Sequence, residues 1–577
     1  MNRTKASSVI ALSAVAVLGL SACGGGTTGN NNGDTGATGG AATAGGDLLY
    51  LTKRPAEHLD PQRMYIGRDI FTTGRTVYRS LFQFPAGEKD ATKAQTPIPD
   101  IATEVPTSSD GKTWTVTLKE GVKWQDGKDV VCEDFKYGVS RAFAYDVLDG
   151  GPFQYPTQYL DIPKDKDGSP AYKGPYSKKG QALFDKAVTC KGNEITYKFN
   201  KPWGDFPLAV AGLRVFDPYR EDQDKGAKNN FVIFSNGPYK LDGTWTKGKG
   251  GKFVRNDQYD PKTDEGTRQA NPDTITFEEG VDESIITDRI VAGAGNDANA
   301  ITDRVVRPPS YSKVEPLKDQ TTLVDSPYVF YLVPNMSRVK DVNVRKALAT
   351  ATDNEGWVGA LGGDKAAVAA TSIINPSLPG FQENPIFSKI PAAGDPAAAK
   401  KILTDAGVKM PYPIKLTYQG GDPTLDKAMG VIKEGWDKAG FKTSLDPLTE
   451  TYYDIVNKPN NDSDVFQGGW GSDYPSAATV IPLLFDSRQL SASQVGNNYG
   501  QYKNKAVDQA IDKAALITDP IKAGEAYSAI DKTISEDYGY IPNYIQRFYF
   551  IRGKNVTGYE QTEATSMFAD LGTVGVK

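Results

Sequence analysis

Residues 110–143 read DGKTWTVTLKEGVKWQDGKDVVCEDFKYGVSRAF. Asp110-Gly111-Lys112 is a turn. Trp114-Thr115-Val116-Thr117-Leu118 alternates apolar and polar side chains, the pattern of a strand with one face in a core. Gly121 to Lys128 is strand followed by tight turn, because Asp126-Gly127 suits a position with φ > 0. Glu133-Asp134-Phe135 then opens a helix through Tyr137, Val139 and Phe143, with its acids at the positive end of the helix dipole. Period two gives way to helical period within one short stretch, which points to a mixed α/β protein.

Working outward, the residues from Asp47 to Thr52 are predicted as a short strand and His58-Leu59-Asp60-Pro61 as a turn. Asp69 to Phe84 reads as a helix with Ile70, Val77 and Leu81 on one face. Ile101 to Val105 leads into the turn at Ser109. Further on, Tyr197 to Phe199 is a strand, and the stretch from Gly237 to Tyr259 reads as a β-hairpin. The hairpin turn, Gly243 to Lys249, matches most of a phosphate-binding P-loop. Gly250 stands where Ser or Thr would bind magnesium and no helix follows, so it is read as a lysine-bearing hairpin turn. Lys415–Tyr418 (strand), Asp422–Lys438 (helix closed by Gly440) and Phe441–Leu445 (strand) give a βαβ unit, so a second lobe is expected. Helices are predicted from Lys505 to Leu516 and from Ile521 to Glu536, followed by strands from Ile541 to Gln546 and from Tyr549 to Ile551.

The chain of 577 residues is too long for one core, so two or three domains are expected. A formal net charge of −5 offers no basic footprint for nucleic acid. With one histidine, His58, there is no basis for a His-based metal site or triad. At the N-terminus, Arg3 and Lys5 precede an apolar run from Val9 to Leu20 that is too short to span a bilayer. Leu20-Ser21-Ala22-Cys23 resembles the lipobox of bacterial lipoproteins, in which the signal is cut before a cysteine that is then acylated. Residues 1–22 are thus read as a signal peptide. Cys23 and the Gly/Thr/Asn/Ala-rich residues up to Gly46 are read as a lipidated, flexible tether. Cys132 and Cys190 remain, an even pair in an oxidising compartment. One disulfide is expected, with two buried thiols as the alternative.

Gly468-Gly469-Trp470-Gly471-Ser472-Asp473 stands apart. Its glycines allow another backbone to approach, Trp470 supplies a flat wall, and Asp473 supplies one anionic handle. Read alone, it favours a strand ending in a Gly-rich turn, with Trp470 as core and Asp473 as a turn-forming acid.

The stretch 110–143 resembles the signature of the family 5 extracellular solute-binding proteins, the peptide- and nickel-binding receptors of ABC importers. Four further blocks resemble the family in the same order. They are Asn236-Gly237-Pro238-Tyr239, Val342 to Leu348 with Ala351-Thr352-Asp353, the Gly-Trp stretch, and Asn498-Tyr499 with Tyr502 to Asp508. The resemblance implies an α/β, two-lobed periplasmic-binding-protein-like fold (type II, cluster C) with an accessory domain in the N-terminal lobe. Lobe I is assigned to 47–85, 215–322 and 543–577, the accessory domain to 86–214, and lobe II to 323–542. It also implies a monomeric receptor outside the cell, anchored to the membrane through Cys23, which captures an oligopeptide between lobes and delivers it to ABC permease subunits. Such a receptor performs no chemistry and holds no cofactor or metal.

Carried over residue by residue, Asp473 meets the peptide amine, and Gly469, Trp470 and Gly471 supply the backbone seat. Tyr65, Ile66 and Gly67 form the opposite wall. Tyr155, with Phe153 and Tyr159 as further candidates, reaches in from the accessory domain. Some relatives carry an Arg three residues before the Trp that meets the carboxylate of short peptides. Gln467 stands there in this chain, and Lys458, the nearby cation, reads as a solvated loop lysine. A receptor for an oligosaccharide or other polar solute is the alternative in the same transporter family. A nickel receptor finds no histidine support, and no nucleophile–base pair supports an enzyme.

Overall fold

The structure, a computed structural model, describes residues 42–449, 451–492 and 495–577. The signal sequence, Cys23 and the tether up to residue 41 lie outside the described residues. The last tether residues belong to the folded body. The Thr43 N–H donates to Thr557 Oγ1 at 3.1 Å, that of Gly45 to the Asn271 carbonyl at 2.8 Å, and that of Gly46 to Asp273 Oδ2 at 3.0 Å.

The quoted stretch folds locally. Thr113–Thr117 pairs antiparallel with Glu194–Lys198, placing Trp114 opposite Tyr197 and Val116 opposite Ile195, and Val188–Lys191 completes a three-stranded sheet. The helix Cys132–Arg141 begins beside the Asp-Gly turn. One carboxylate oxygen of Asp134 accepts from the Trp124 indole at 2.9 Å and from the Val131 N–H at 3.1 Å, so turn and helix start share an anchor. Cys132 is joined to Cys190 by a disulfide that spans 58 residues of sequence, with Cα atoms 5.8 Å apart.

Two larger sheets carry the rest. The five-stranded sheet runs Ala300–Thr302, Asp47–Leu51, Thr274–Glu278, Gly250–Arg255, Tyr239–Thr246 in spatial order. Its last two strands are the predicted hairpin, antiparallel with Tyr239 opposite Arg255. The six-stranded sheet runs Ala367–Ala369, Ile541–Ile551, Thr321–Pro334, Val465–Trp470, Tyr412–Gln419, Phe441–Leu448. Within it Tyr412–Gln419 and Phe441–Leu448 are parallel, joined by the helix Pro423–Lys438 with Pro at its start. Each sheet has its own core. One core is continuous from Leu48 and Tyr50 through Trp114, Tyr197 and Phe216 to Val576. The small sheet therefore packs into the same core as the five-stranded one. The other gathers Leu332, Trp357, Trp436 and Ile534.

The predicted helix from Asp69 to Phe84 is shorter and earlier. Helical turns run from Gly67 to Val77, Tyr78 is extended, and Phe82–Gln83 pairs as a short strand with Ile98–Pro99. The Arg79 N–H goes to Asn236 Oδ1 at 2.9 Å, and its guanidinium reaches buried Asp100 at 2.7 Å. Partners distant in sequence thus replace the helical hydrogen bonds that period alone predicts. Such buried pairs recur. Arg141 grips Asp60 through two bonds of 2.7 and 2.5 Å with both side chains fully buried, which fixes the Pro61–Arg63 turn ahead of Tyr65.

Replacing Cys132 and Cys190 together by Ser is expected to lower unfolding stability by about 2–4 kcal/mol, given the long loop that the bridge closes. Denaturant unfolding with and without reductant measures it, and an unchanged midpoint contradicts it.

Candidate functional site

Val465–Trp470 is a central strand of the six-stranded sheet, paired antiparallel with Thr321–Pro334. The register sets Phe330 opposite Gly469 and Tyr331 opposite Gly468. A Cβ at Gly468 would lie 2.5 Å from the Tyr331 ring, one at Gly469 2.8 Å from Phe330, and one at Gly471 2.7 Å from Tyr328. The glycines therefore make room for aromatic rings of the neighbouring strand, a stacking device known for sheet glycines. The sequence suggests a ligand backbone in that space, and the rings occupy most of it.

Beyond the strand, the chain turns. The Trp470 indole donates to the Thr479 carbonyl at 2.8 Å, and the Asp473 N–H donates to Thr479 Oγ1 at 3.2 Å, so the loop closes on itself. It is also held from the other side. Ser476 donates to Asp205 Oδ2 at 2.6 Å, beside the helix Phe206–Gly212. Gly212 lies so close to Tyr474 that a Cβ there would come within 2.8 Å of it.

This places Asp473 in a half-buried position against two phenols. Tyr155 donates to Oδ2 at 2.5 Å and Tyr65 to the same oxygen at 3.0 Å. Gln154 donates to the Tyr65 hydroxyl at 3.0 Å and orients it. Oδ1 accepts no hydrogen bond and no cation pairs with the carboxylate among the described residues. Burial pushes the Asp473 carboxyl up to about 6, against the pull of the hydrogen bonds from Tyr155 and Tyr65. A cavity of about 260 Å³ opens here, lined by Tyr65, Gly67, Tyr328, Gly469, Gly471 and Asp473 among others. A second, larger chamber of about 760 Å³ shares one lining residue with it, Tyr328.

Of the residues expected at the site, Asp473, Trp470, Gly469, Gly471, Tyr65 and Gly67 line the smaller cavity, and Tyr155 touches it through Asp473. Gln467 lines the chamber, its side chain accepting from the Gln419 N–H at 3.3 Å. Ile66 is not among the lining residues. It is 37 % exposed, and its carbonyl accepts from the Ile70 N–H to start the helical turns. Phe153 is core, Tyr159 stacks on Trp203 with centroids 4.2 Å apart, and Lys458 is an exposed loop side chain. Tyr328, Phe330, Thr479 and Gln154 escape the sequence reading. A run of aromatic and aliphatic residues from Tyr328 to Val333, set against a Gly-Gly pair elsewhere, is the signal that marks the first two.

Residues 96–492 match the model of the bacterial extracellular solute-binding proteins, family 5 middle. The chain belongs to family 5 of the bacterial extracellular solute-binding proteins. Among family relatives it is 23% identical over 563 residues to the oligopeptide-binding protein OppA of Bacillus subtilis (strain 168), covering 96% of each chain. Two solved structures share the fold. Clavulanic acid biosynthesis oligopeptide binding protein 2 superposes with a TM-score of 0.84 at 23% identity, over 94% of this chain and 99% of that one. The oligopeptide-binding protein AppA from Bacillus subtilis, in complex with a nonapeptide, gives 0.67 at 20% identity, over 93% and 100%. The family's two-lobed α/β fold accounts for the two sheets and two cores. No helix among the described residues is long and apolar enough to cross a membrane.

Because rings fill the space beside the glycines, Gly469→Ala is expected to destabilise by about 1–3 kcal/mol through overpacking. Urea unfolding reads this. A gain in stability contradicts the role given to Phe330.

Proposed function

We propose that this chain is the capture component of a peptide importer. It is held outside the cell by a lipid on Cys23, binds an oligopeptide by its free amine at Asp473, and presents it to an ABC-type permease. The observation that carries the reading is the Asp473 carboxylate. It is half-buried at the end of a cavity, held by two phenols on one oxygen, and left without a cation. A carboxylate in low dielectric without a cation is unfavourable, and a ligand ammonium at Oδ1 supplies what is missing. The relatives named for oligopeptide binding support the same class of ligand. An oligosaccharide offers no cation and leaves that need unmet. The residues that line the cavity bind and orient, and the reading includes no turnover.

Asp473→Asn is expected to weaken binding of a free-amine peptide by roughly 2–5 kcal/mol, and N-acetylating the peptide should do the same to the unaltered protein. Isothermal titration calorimetry checks both, and unchanged affinity in either removes Asp473 from the amine site. In the ligand-free protein the raised carboxyl binds a proton that the unfolded chain releases, so this group's stabilisation is full at acid pH and declines as pH rises towards 6. Asp473→Asn should therefore raise the melting temperature of the empty protein at pH 7. Ligand binding has the opposite sign. It needs the ionised form, so affinity holds above pH 6 and falls by about tenfold per unit well below it. A flat affinity profile from pH 7 to 4.5 contradicts the assignment.

A further inference from the structure

A cavity of about 400 Å³ lies apart from the two already described and shares no lining residue with either. It opens beyond Pro334, which pairs with Val465 at one end of the central ladder. The Asp473 cavity borders the other end, where Val329 pairs with Trp470. The two ends are about 17 Å apart at the rise of an antiparallel strand. The walls come from the turn after that strand, the first turn of the helix Val342–Ala351, the loop ahead of the helix Lys505–Ala514, and the residue that caps the helix Pro520–Glu536.

Three cations line this cavity, Lys340, Arg345 and Lys503, against one carboxylate, Asp537. The carboxylate is engaged by neutral groups. Its Oδ2 accepts from the Tyr502 hydroxyl at 2.7 Å and from Asn504 Nδ2 at 3.4 Å. Lys340 and Lys503 are exposed, and neither ammonium has an ion pair or hydrogen bond among the described residues. Arg345 is only 7 % exposed. Its Nε donates to the Asp537 carbonyl at 2.9 Å, and its Nη1 to the carbonyls of Val339 at 2.9 Å and Lys340 at 2.8 Å. These bonds fix the side chain and bring no counter-charge. Nη2 has no partner among the described residues, and no carboxylate there pairs with the guanidinium. Burial draws the Arg345 pKa below its ordinary value in spite of the nearby Asp537 and Asp341. A fixed, buried cation without a counter-ion is unfavourable, and an anion in the cavity offsets that cost.

The donors that remain select the class of anion. A carboxylate is best met by two N–H groups of one guanidinium lying side by side. Two of the three Arg345 nitrogens already serve carbonyls, so that fork is taken. What is left is one guanidinium nitrogen and two ammonium groups, carried on three separate segments. Point donors of this kind suit an anion whose oxygens point in several directions, and three cations less one carboxylate leave a charge that a dianion matches. We propose that this cavity is a second binding site, independent of the Asp473 cavity, for an oxyanion of the phosphate class, with Arg345 at its floor and Lys340 and Lys503 at its rim.

The test titrates the full chain, stripped of co-purified ligand, with inorganic phosphate, glycerol 1-phosphate and succinate. Calorimetry is run at constant ionic strength set with sodium chloride, so that general screening is the same throughout. Phosphate should bind saturably, one per chain, and succinate about tenfold more weakly. Ester binding at least as tight as that of phosphate assigns a phosphorylated solute, weaker ester binding assigns the free ion, and either supports the inference. Arg345 also clamps three carbonyls, so the two lysines carry the mutational test. The variant K340Q/K503Q, shown by its melting temperature to be folded, should bind phosphate about tenfold more weakly and keep the peptide affinity of the parent. Phosphate binding that is unchanged in the variant overturns the site. Succinate binding as tight as that of phosphate overturns the class of anion. Binding of neither phosphate nor the ester overturns the inference and leaves peptide capture standing.

Discussion

One antiparallel strand pair, Thr321–Pro334 with Ile541–Ile551, runs from a hydrophobic cluster beside the five-stranded sheet into the core of the six-stranded one. Its first half sets Leu323 opposite Tyr549 and Thr321 opposite Ile551, and packs with Leu49 and Ile286 on the side of the five-stranded sheet. Its second half sets Leu332 opposite Ile541 inside the core of the six-stranded sheet. The register slips between Asp325 and Val329, where the ladder is interrupted and the strand bends. Tyr328 sits at that slip and lines both cavities. A residue common to both cavities thus sits where a shared ladder stops being regular.

The electrostatics of the site differ from those of the buried Arg–Asp clusters. In those clusters the acids are paired. Asp100 lies between Arg79 at 2.7 Å and Arg268 at 2.8 Å, and although burial alone would raise its carboxyl, the two guanidinium groups hold it well below the usual range. At the site, Asp473 has hydroxyls only, and its carboxyl moves the other way. Asp205 and Asp531 are buried deeper and also have no cation among the described residues, Asp205 being held by Ser476 and Asp531 by Tyr540, Asn384 and Ser372. What sets Asp473 apart is that it lines a cavity.

Much of the fold is legible in sequence where partners are close along the chain. The turn, strand and helix of 110–143, the Tyr239–Arg255 hairpin and the βαβ unit around Pro423–Lys438 each follow from period and turn chemistry. What fails is long-range. Period cannot show that Arg79 leaves its helix for Asp100, or that the glycines of 468–471 face rings from the 321–334 strand. Tyr65 and Tyr155 reach Asp473 across 408 and 318 residues of sequence. Family resemblance points to those three, whereas the composition of the stretch by itself favours a plain turn. The cations of the outer cavity come from residues as far apart as Lys340 and Lys503, neither of which forms a charge run that a sequence reading would notice.

The residues near Thr43 and those near Val576 meet in the same core. Thr43 bonds to Thr557, and Leu48 and Tyr50 share packing with Val556, Leu571 and Val576. During synthesis, the first strand therefore waits for nearly the whole chain before its surroundings exist. The five-stranded body cannot close on a growing chain, and its strand Asp47–Leu51 pairs only with segments beyond residue 270. Such non-local closure is slow compared with local folding. A chain built this way completes its five-stranded body only once its C-terminal residues are present.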